Sequence, residues 1–281
     1  MILGVVKLKP IKKTMIKSKK SSRCSAEKKV SVIGVIPARY KSLRLPGKPL
    51  IPINGKPLIQ RVYENASKSK YLDKLLVATD DKRILNLVKD FGGEAKLTSK
   101  RHKTGTDRVA EAVKDNKAEI VVNIQCDEAF TNPKMIDELI FLMKKDKNIL
   151  IGTLASKIKD KKFLTDPNLV KVVIDKNNYA LYFSRYPIPY QRTDGYQIRN
   201  QNRQDAPHYY EHIGIYAFRK IFLEKFSKLP QTPLEKSERL EQLRALENGY
   251  KIKVVITKYN SFSLNTYADL KRLNSSKRSE K

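Results

Sequence analysis

Val32-Ile33-Gly34-Val35-Ile36 runs directly into Pro37-Ala38-Arg39-Tyr40-Lys41-Ser42-Leu43-Arg44-Leu45-Pro46-Gly47-Lys48-Pro49-Leu50, and this stretch decides the fold. Its first part is a short unbroken apolar run, the mark of a strand covered on both faces. Its second part is cationic, carries a glycine and holds no acid to neutralise it. In a parallel sheet, the loop that leaves such a strand lies at the carboxyl edge, where ligands bind. Backbone amides with Arg39, Arg44 and Lys48 are suited to bracketing a triphosphate. The spacing is not that of a Walker-type loop, so an ordinary solvated loop stands beside the phosphate-binding reading.

Outward from this stretch the same alternation repeats. A helix is predicted from Pro57, with Leu58, Val62 and Ala66 on one stripe. Leu75-Leu76-Val77-Ala78 reads as a second buried strand. Asp81–Phe91 sets Ile84, Leu87, Val88 and Phe91 at helical spacing. Asp107–Asn116 reads as a helix, Ile120–Ile124 as a third strand and Pro133–Lys145 as another helix. Strand–helix alternation of this kind predicts an α/β fold, with a mostly parallel sheet and helices on both faces.

The second half is more mixed. Val170–Asp175 and Tyr179–Ser184 read as two strands joined by a turn at Lys176-Asn177-Asn178. Residues 187–208 read as a long loop and His212–Phe218 as a strand. Thr232-Pro233-Leu234-Glu235 opens a helix with Thr as its cap, and that helix is expected to run to Asn248-Gly249. Lys251–Thr257 is a final strand.

Two further segments carry chemistry. Asn123-Ile124-Gln125-Cys126-Asp127-Glu128 leaves the third strand, and acids at such a strand end suit a Mg²⁺ ion that bridges nucleotide phosphates. A helix-capping pair is the plain alternative. His102-Lys103-Thr104-Gly105-Thr106-Asp107-Arg108 opens a helix with a turn that can present amides and hydroxyls to a base or ribose. The plain alternative there is capping by Thr106.

Composition narrows the classes. The net charge of +29 first suggests a nucleic-acid binder, but the lysines are spread along the chain and no groove-binding module is present. A general positive field still favours an anionic substrate. No apolar run is long enough to span a bilayer. The two cysteines, Cys24 and Cys126, form no disulfide framework and fit a reducing compartment. Residues 1–29 read as a disordered basic extension, with an organelle transit peptide as the alternative, and residues 274–281 as a polar tail.

In this order the segments resemble one family, 3-deoxy-manno-octulosonate (KDO) cytidylyltransferase. Leu181-Tyr182-Phe183-Ser184-Arg185, His212-Ile213-Gly214-Ile215-Tyr216 and the stretch Leu240-Glu241-Gln242-Leu243-Arg244-Ala245-Leu246-Glu247-Asn248-Gly249 carry the likeness further. It covers residues 30–273. The resemblance implies a nucleotide-diphospho-sugar-transferase-like sheet, with a smaller mixed lobe for sugar binding and dimerisation at about residues 157–218. It implies a cytoplasmic homodimer that uses Mg²⁺ and transfers CMP from CTP to KDO, for lipopolysaccharide synthesis.

Arg39, Lys48 and Asp127 are the catalytic residues so implied. Ala38, Ser42, Arg44, Thr104, Gly105, Thr106 and Gln125 join Arg39 and Lys48 at the nucleotide. Arg185, His212, Tyr216, Glu241 and Gln242 fall to the sugar acid, and Asp127 with Asn265 to the metal. Four positions depart from the family pattern. Leu43 lacks a hydroxyl, Cys126 stands for a glycine, Arg239 stands for a small residue, and Asn265 stands for a metal-binding aspartate. Asn265 keeps an oxygen for the metal but not the charge. Two alternative functions remain beside the enzyme: a catalytically impaired nucleotide-binding descendant, and a basic protein associated with nucleic acid.

Overall fold

The computed structural model describes residues 30–41, 45–191, 208–260, 263–264, 267 and 269–271. Strand β1 (Val32–Ala38) is buried at all seven positions, as its unbroken apolar run requires. A short ribbon of β2 (Pro52–Ile53) and β3 (Lys56–Pro57) leads into helix α1 (Leu58–Ala66). Then follow β4 (Lys74–Thr79), α2 (Lys82–Asp90), β5 (Ala95–Leu97), α3 (Gly105–Ala112), β6 (Ile120–Ile124), α4 (Pro133–Lys145) and β7 (Ile151–Lys157). The second half holds β8 (Lys171–Ile174), β9 (Ala180–Ser184), β10 (Tyr210–Arg219), α5 (Lys220–Phe226), α6 (Pro233–Glu238), α7 (Leu243–Glu247) and β11 (Ile252–Thr257).

The main sheet runs β11-β7-β10-β6-β1-β4-β5, and the β8–β9 hairpin joins it through β10. Pairings of β1 with β4 and β6, β4 with β5, and β7 with β11 are parallel. Strand β10 alone on this path runs against its neighbours β6 and β7. The sheet is therefore mostly parallel, as predicted. Successive residues of β1 face opposite sides. Val32 and Ile36 enter a core packed by α1, α2 and α4, while Ile33 and Val35 enter a second core packed by α3, α5 and α7. The expectation of helices on both faces holds.

The short elements β2, β3 and β5 and the helix α5 were not read from the sequence, and three further differences bear on the site. Helix α3 begins at Gly105, two residues before the expected Asp107. Its cap is Thr104, whose hydroxyl accepts from Asp107 N at 3.1 Å while the Asp107 carboxylate accepts from Thr104 N at 3.3 Å. This reciprocal capping box releases Thr106 from the capping role. The single helix expected between residues 232 and 249 is two, α6 and α7. Arg239 has φ 53° and ψ 47°, a left-handed conformation that no helix can carry, so the chain turns there. Strand β7, which lies between β11 and β10, was not foreseen at all.

Candidate active site

The phosphate-loop candidate is held by a tight closure. Gly47 N donates to Tyr40 O at 3.0 Å, and Gly47 adopts φ 67°, which favours glycine. A Cβ at that position would meet the Tyr40 ring at 3.3 Å. Lys48, one residue on, is thereby aimed across the sheet edge, and its Nζ lies 2.8 Å from Asp127 Oδ2 at the end of β6. Arg39 is exposed at the end of β1. Ala38 is buried and has only its backbone to offer. Ser42, Leu43 and Arg44 lie outside the described residues, as do Asn265 and Thr266.

Two clefts open along this edge. One, of about 710 Å³, is lined by Arg39, Lys48, Thr104, Gly105, Gln125 and Asp127, among others. The second, of about 690 Å³, is lined by Arg185, His212, Tyr216, Glu241 and Gln242. Both volumes suit a small-molecule site. Arg39, Lys48 and Thr104 line only the first cleft, and His212, Tyr216, Glu241 and Gln242 only the second. Gly105, Gln125, Asp127, Asn168, Arg185 and Arg239 line both clefts and form the seam between them. Thr106, expected at the nucleotide, lines neither: it is 3% exposed and donates to Glu241 Oε2 at 2.8 Å.

The seam is rigidly built. Arg185 donates through Nε to Glu238 O at 2.8 Å and through Nη1 to Pro167 O at 2.8 Å. It so ties the end of β9 to the α6–α7 elbow and to the turn before β8. His212 touches Thr153 Oγ1 at 3.0 Å, and Thr153 in turn donates to Ile215 O at 2.9 Å. That threonine fills the register shift between Ile213 and Tyr216, where β10 bulges against β7. The bulge belongs to the strand that carries both His212 and Tyr216 to the cleft. Burial drives the His212 pKa down to about 3, so the ring is a neutral hydrogen-bonding group at physiological pH.

Other charges in the second cleft are also displaced. Burial raises Glu241 to about 7, against the pull of the Thr106 and Thr104 hydroxyls and of Arg244. Burial, with Glu128 and Asp166 nearby, raises Glu211 to about 7 as well. Cys126 is pushed up to about 12 by burial, so it is a thiol and not a nucleophile at neutral pH. It packs in the core beside the first cleft, without the positive φ that would have demanded a glycine.

Sequence reasoning missed Thr153, Lys171 and Glu211, and it gave Asn123 no role of its own within the segment that opens with it. Only Asn123 gave a signal, as a polar residue inside an apolar strand; it is fully buried.

A family model described as Cytidylyltransferase matches residues 33–252. The chain belongs to the cytidylyltransferase family. Among its curated relatives is a 3-deoxy-manno-octulosonate cytidylyltransferase of Thermodesulfovibrio yellowstonii, 51% identical over 85% of this chain and 94% of that protein. Another of the same description, from Solibacter usitatus, is 46% identical over 86% of this chain and 92% of that one. A solved CMP:2-keto-3-deoxy-manno-octonic acid synthetase complexed with CTP is 38% identical. It covers 89% of this chain and all of its own, with a TM-score of 0.80. A 4-diphosphocytidyl-2C-methyl-D-erythritol synthase from Anaerococcus prevotii, 17% identical with a TM-score of 0.57, shares the fold. The family resemblance read from the sequence is borne out, and this cytidylyltransferase is a nucleotidyltransferase by membership.

Proposed function

We propose that this cytidylyltransferase transfers CMP from CTP to KDO, releasing pyrophosphate. The observation that carries the reading is the shared seam. A cation-rich cleft meets a polar, carboxyl-lined one at Gln125, Asp127, Arg185 and Arg239. A triphosphate in the first and a sugar acid in the second would meet there. The anomeric hydroxyl oxygen bonds to the α-phosphorus, and the bond from that phosphorus to the bridging oxygen breaks. Pyrophosphate leaves with the electron pair, and the hydroxyl proton is lost. Arg39 and Lys48 hold the triphosphate and stabilise the leaving charge, Arg185 meets the sugar acid, and neutral His212, Tyr216, Glu241 and Gln242 orient its hydroxyls.

Mg²⁺ is the cofactor proposed with this reaction. Asp127 fits it, being a hard oxygen donor at the seam, 31% exposed, whose ionic partner Lys48 already shows that a cation is wanted there. One or two carboxylates together with phosphate oxygens suffice for this ion. Asp127 would hold it with Asn265, and it would supply neutralisation of phosphate charge. Among the described residues no three His, Cys, Asp or Glu side chains group as a metal site.

A homodimer is proposed too, supported by Leu181, Tyr186 and Tyr190, exposed by 59%, 77% and 86% on and after the edge strand β9. No helix among the described residues is long and apolar enough to cross a membrane. Cytoplasmic location, with a product destined for lipopolysaccharide, completes the reading, since CTP is made there and Cys126 is a free thiol.

The test is pyrophosphate release from CTP over a range of Mg²⁺, with and without KDO. Release that needs both substrates is expected. An Asn265→Asp variant run alongside should need less Mg²⁺. A folded protein that releases nothing in either form would overturn the proposal and favour the impaired, nucleotide-binding descendant.

A further inference from the structure

Behind the seam lies a row of buried polar side chains. Gln125 Nε2 donates to Asn123 Oδ1 at 3.1 Å, Asn123 Nδ2 to Thr106 Oγ1 at 3.1 Å, and Thr106 Oγ1 to Glu241 Oε2 at 2.8 Å. Gln125 lines both clefts and Glu241 the sugar cleft, while Asn123 and Thr106 line neither. Both middle residues are buried, at 0% and 3% exposure. Unbonded, each would cost free energy; bonded, they specify one arrangement.

With Glu241 ionised, the direction of the row is fixed. An ionised carboxylate only accepts, so Thr106 must donate to Glu241. The Thr106 oxygen then accepts from the Asn123 amide, and the Asn123 carbonyl accepts from Gln125. The Gln125 carbonyl oxygen is left as the end of the row on the nucleotide side. Asn123 sits in β6 and Thr106 in the first turn of α3, so the row also ties strand to helix.

We infer that Asn123 and Thr106 are positioning residues of the sugar site, holding the Glu241 carboxylate in register with Gln125 across the seam. The inference rests on the function proposed above and deepens it. It also assigns Thr106 away from the nucleotide. The groups that face Glu241 are Thr104 from the cap of α3, Thr106 and Asp107 from α3, Arg244 from α7 and Tyr216 from β10. Of these, the two threonines and Arg244 favour its ionised form and Asp107 opposes it. Removing the Thr106 hydroxyl therefore raises the pH at which Glu241 ionises.

The experiment uses the full chain with CTP, KDO and Mg²⁺ and measures pyrophosphate release against pH. Thr106→Val is expected to raise KM for the sugar acid about tenfold, the worth of one hydrogen bond to a charged group, and to leave KM for CTP within about twofold. The acid limb of its pH profile should move about one unit towards higher pH. Thr106→Ser should restore both. If Thr106→Val fails to melt cooperatively, Thr106→Cys, with a weaker donor, is read the same way. A folded variant whose sugar KM and profile match the wild type overturns the inference. An equal rise in KM for CTP also overturns it, since Thr106 would then serve the nucleotide. A wild type that never responds to KDO would sink the function itself before any variant is compared.

Discussion

Glu211 illustrates how a single side chain can be set against the stability of the fold. It enters the sugar cleft from β10, with Cα partners Lys171 on β8 and Ser156 on β7. Burial, then Glu128 and Asp166, lift its pKa from 4.5 to about 7. The folded chain thus binds a proton more readily than the unfolded chain between these two values. By linkage, the contribution of Glu211 to stability is fully present below about pH 4.5 and is lost as pH rises through about 7. Glu211→Gln should therefore raise Tm at pH 8, and the gain should shrink as pH falls towards 4.5. Thermal melts of both proteins across that range check this; a gain of equal size at every pH would show that ionisation is not the cause. His212 has the opposite sign: its pKa falls to about 3, so its contribution is lost as pH drops below about 6.5. Comparing variant with wild type at each pH cancels that term. None of this was legible in the sequence, because Glu211 becomes buried only when β8 and β10 pair.

Elements were legible to the degree that their signals are local. Strands β1, β4 and β6 announce themselves as apolar runs, and α2 and α4 as stripes with capping residues Asp81 and Asn132 before them. Strand β7 was missed because Gly152 and Thr153 interrupt its apolar run. Gly152 is small where Leu139 of α4 packs, its Cβ position lying 3.1 Å from Leu139 Cδ1, and Thr153 serves His212. Both interruptions have reasons that lie in other elements. The break between α6 and α7 was hidden because arginine does not advertise a left-handed turn. Lys171 is the strongest case. In sequence it is one lysine among many, yet it is fully buried in β8. Its ammonium donates to Asp166 O at 2.9 Å, Leu169 O at 2.7 Å and Arg185 O at 2.7 Å. It clips the turn before β8 to the end of β9, from which Arg185 reaches both clefts. Lys171→Met should take the ammonium donor from the part-buried Leu169 and Arg185 carbonyls, while Asp166 O keeps Leu169 N at 3.2 Å, and cost about 3 kcal/mol. For a chain of this size that lowers Tm by roughly 6–10 °C, measurable by calorimetry. A loss under about 1 kcal/mol would mean that water takes over these carbonyls.

At the scale of the whole molecule, the charge is uneven in a way the composition conceals. The chain carries +29, yet the sugar cleft is lined by seven carboxylates against four lysines and arginines. The nucleotide cleft is the reverse, with Arg39, Lys48, Lys103, Arg108, Arg185 and Arg239 against Asp127 alone. The general lysine excess and the local cations therefore act together on one substrate. Steering of this kind can raise association rates by about 10- to 1000-fold, and it fades when the screening length falls below the size of the cleft. CTP brings several negative charges and the sugar acid one. Raising salt from roughly 20 to 300 mM, with Mg²⁺ held constant, should lower kcat/KM for CTP about tenfold and that for the sugar acid by no more than about twofold. Equal slopes would mean that the field is general and that the clefts do not sort the substrates by charge. Unequal slopes would give the lysine excess, which first suggested nucleic acid, a role at the nucleotide cleft.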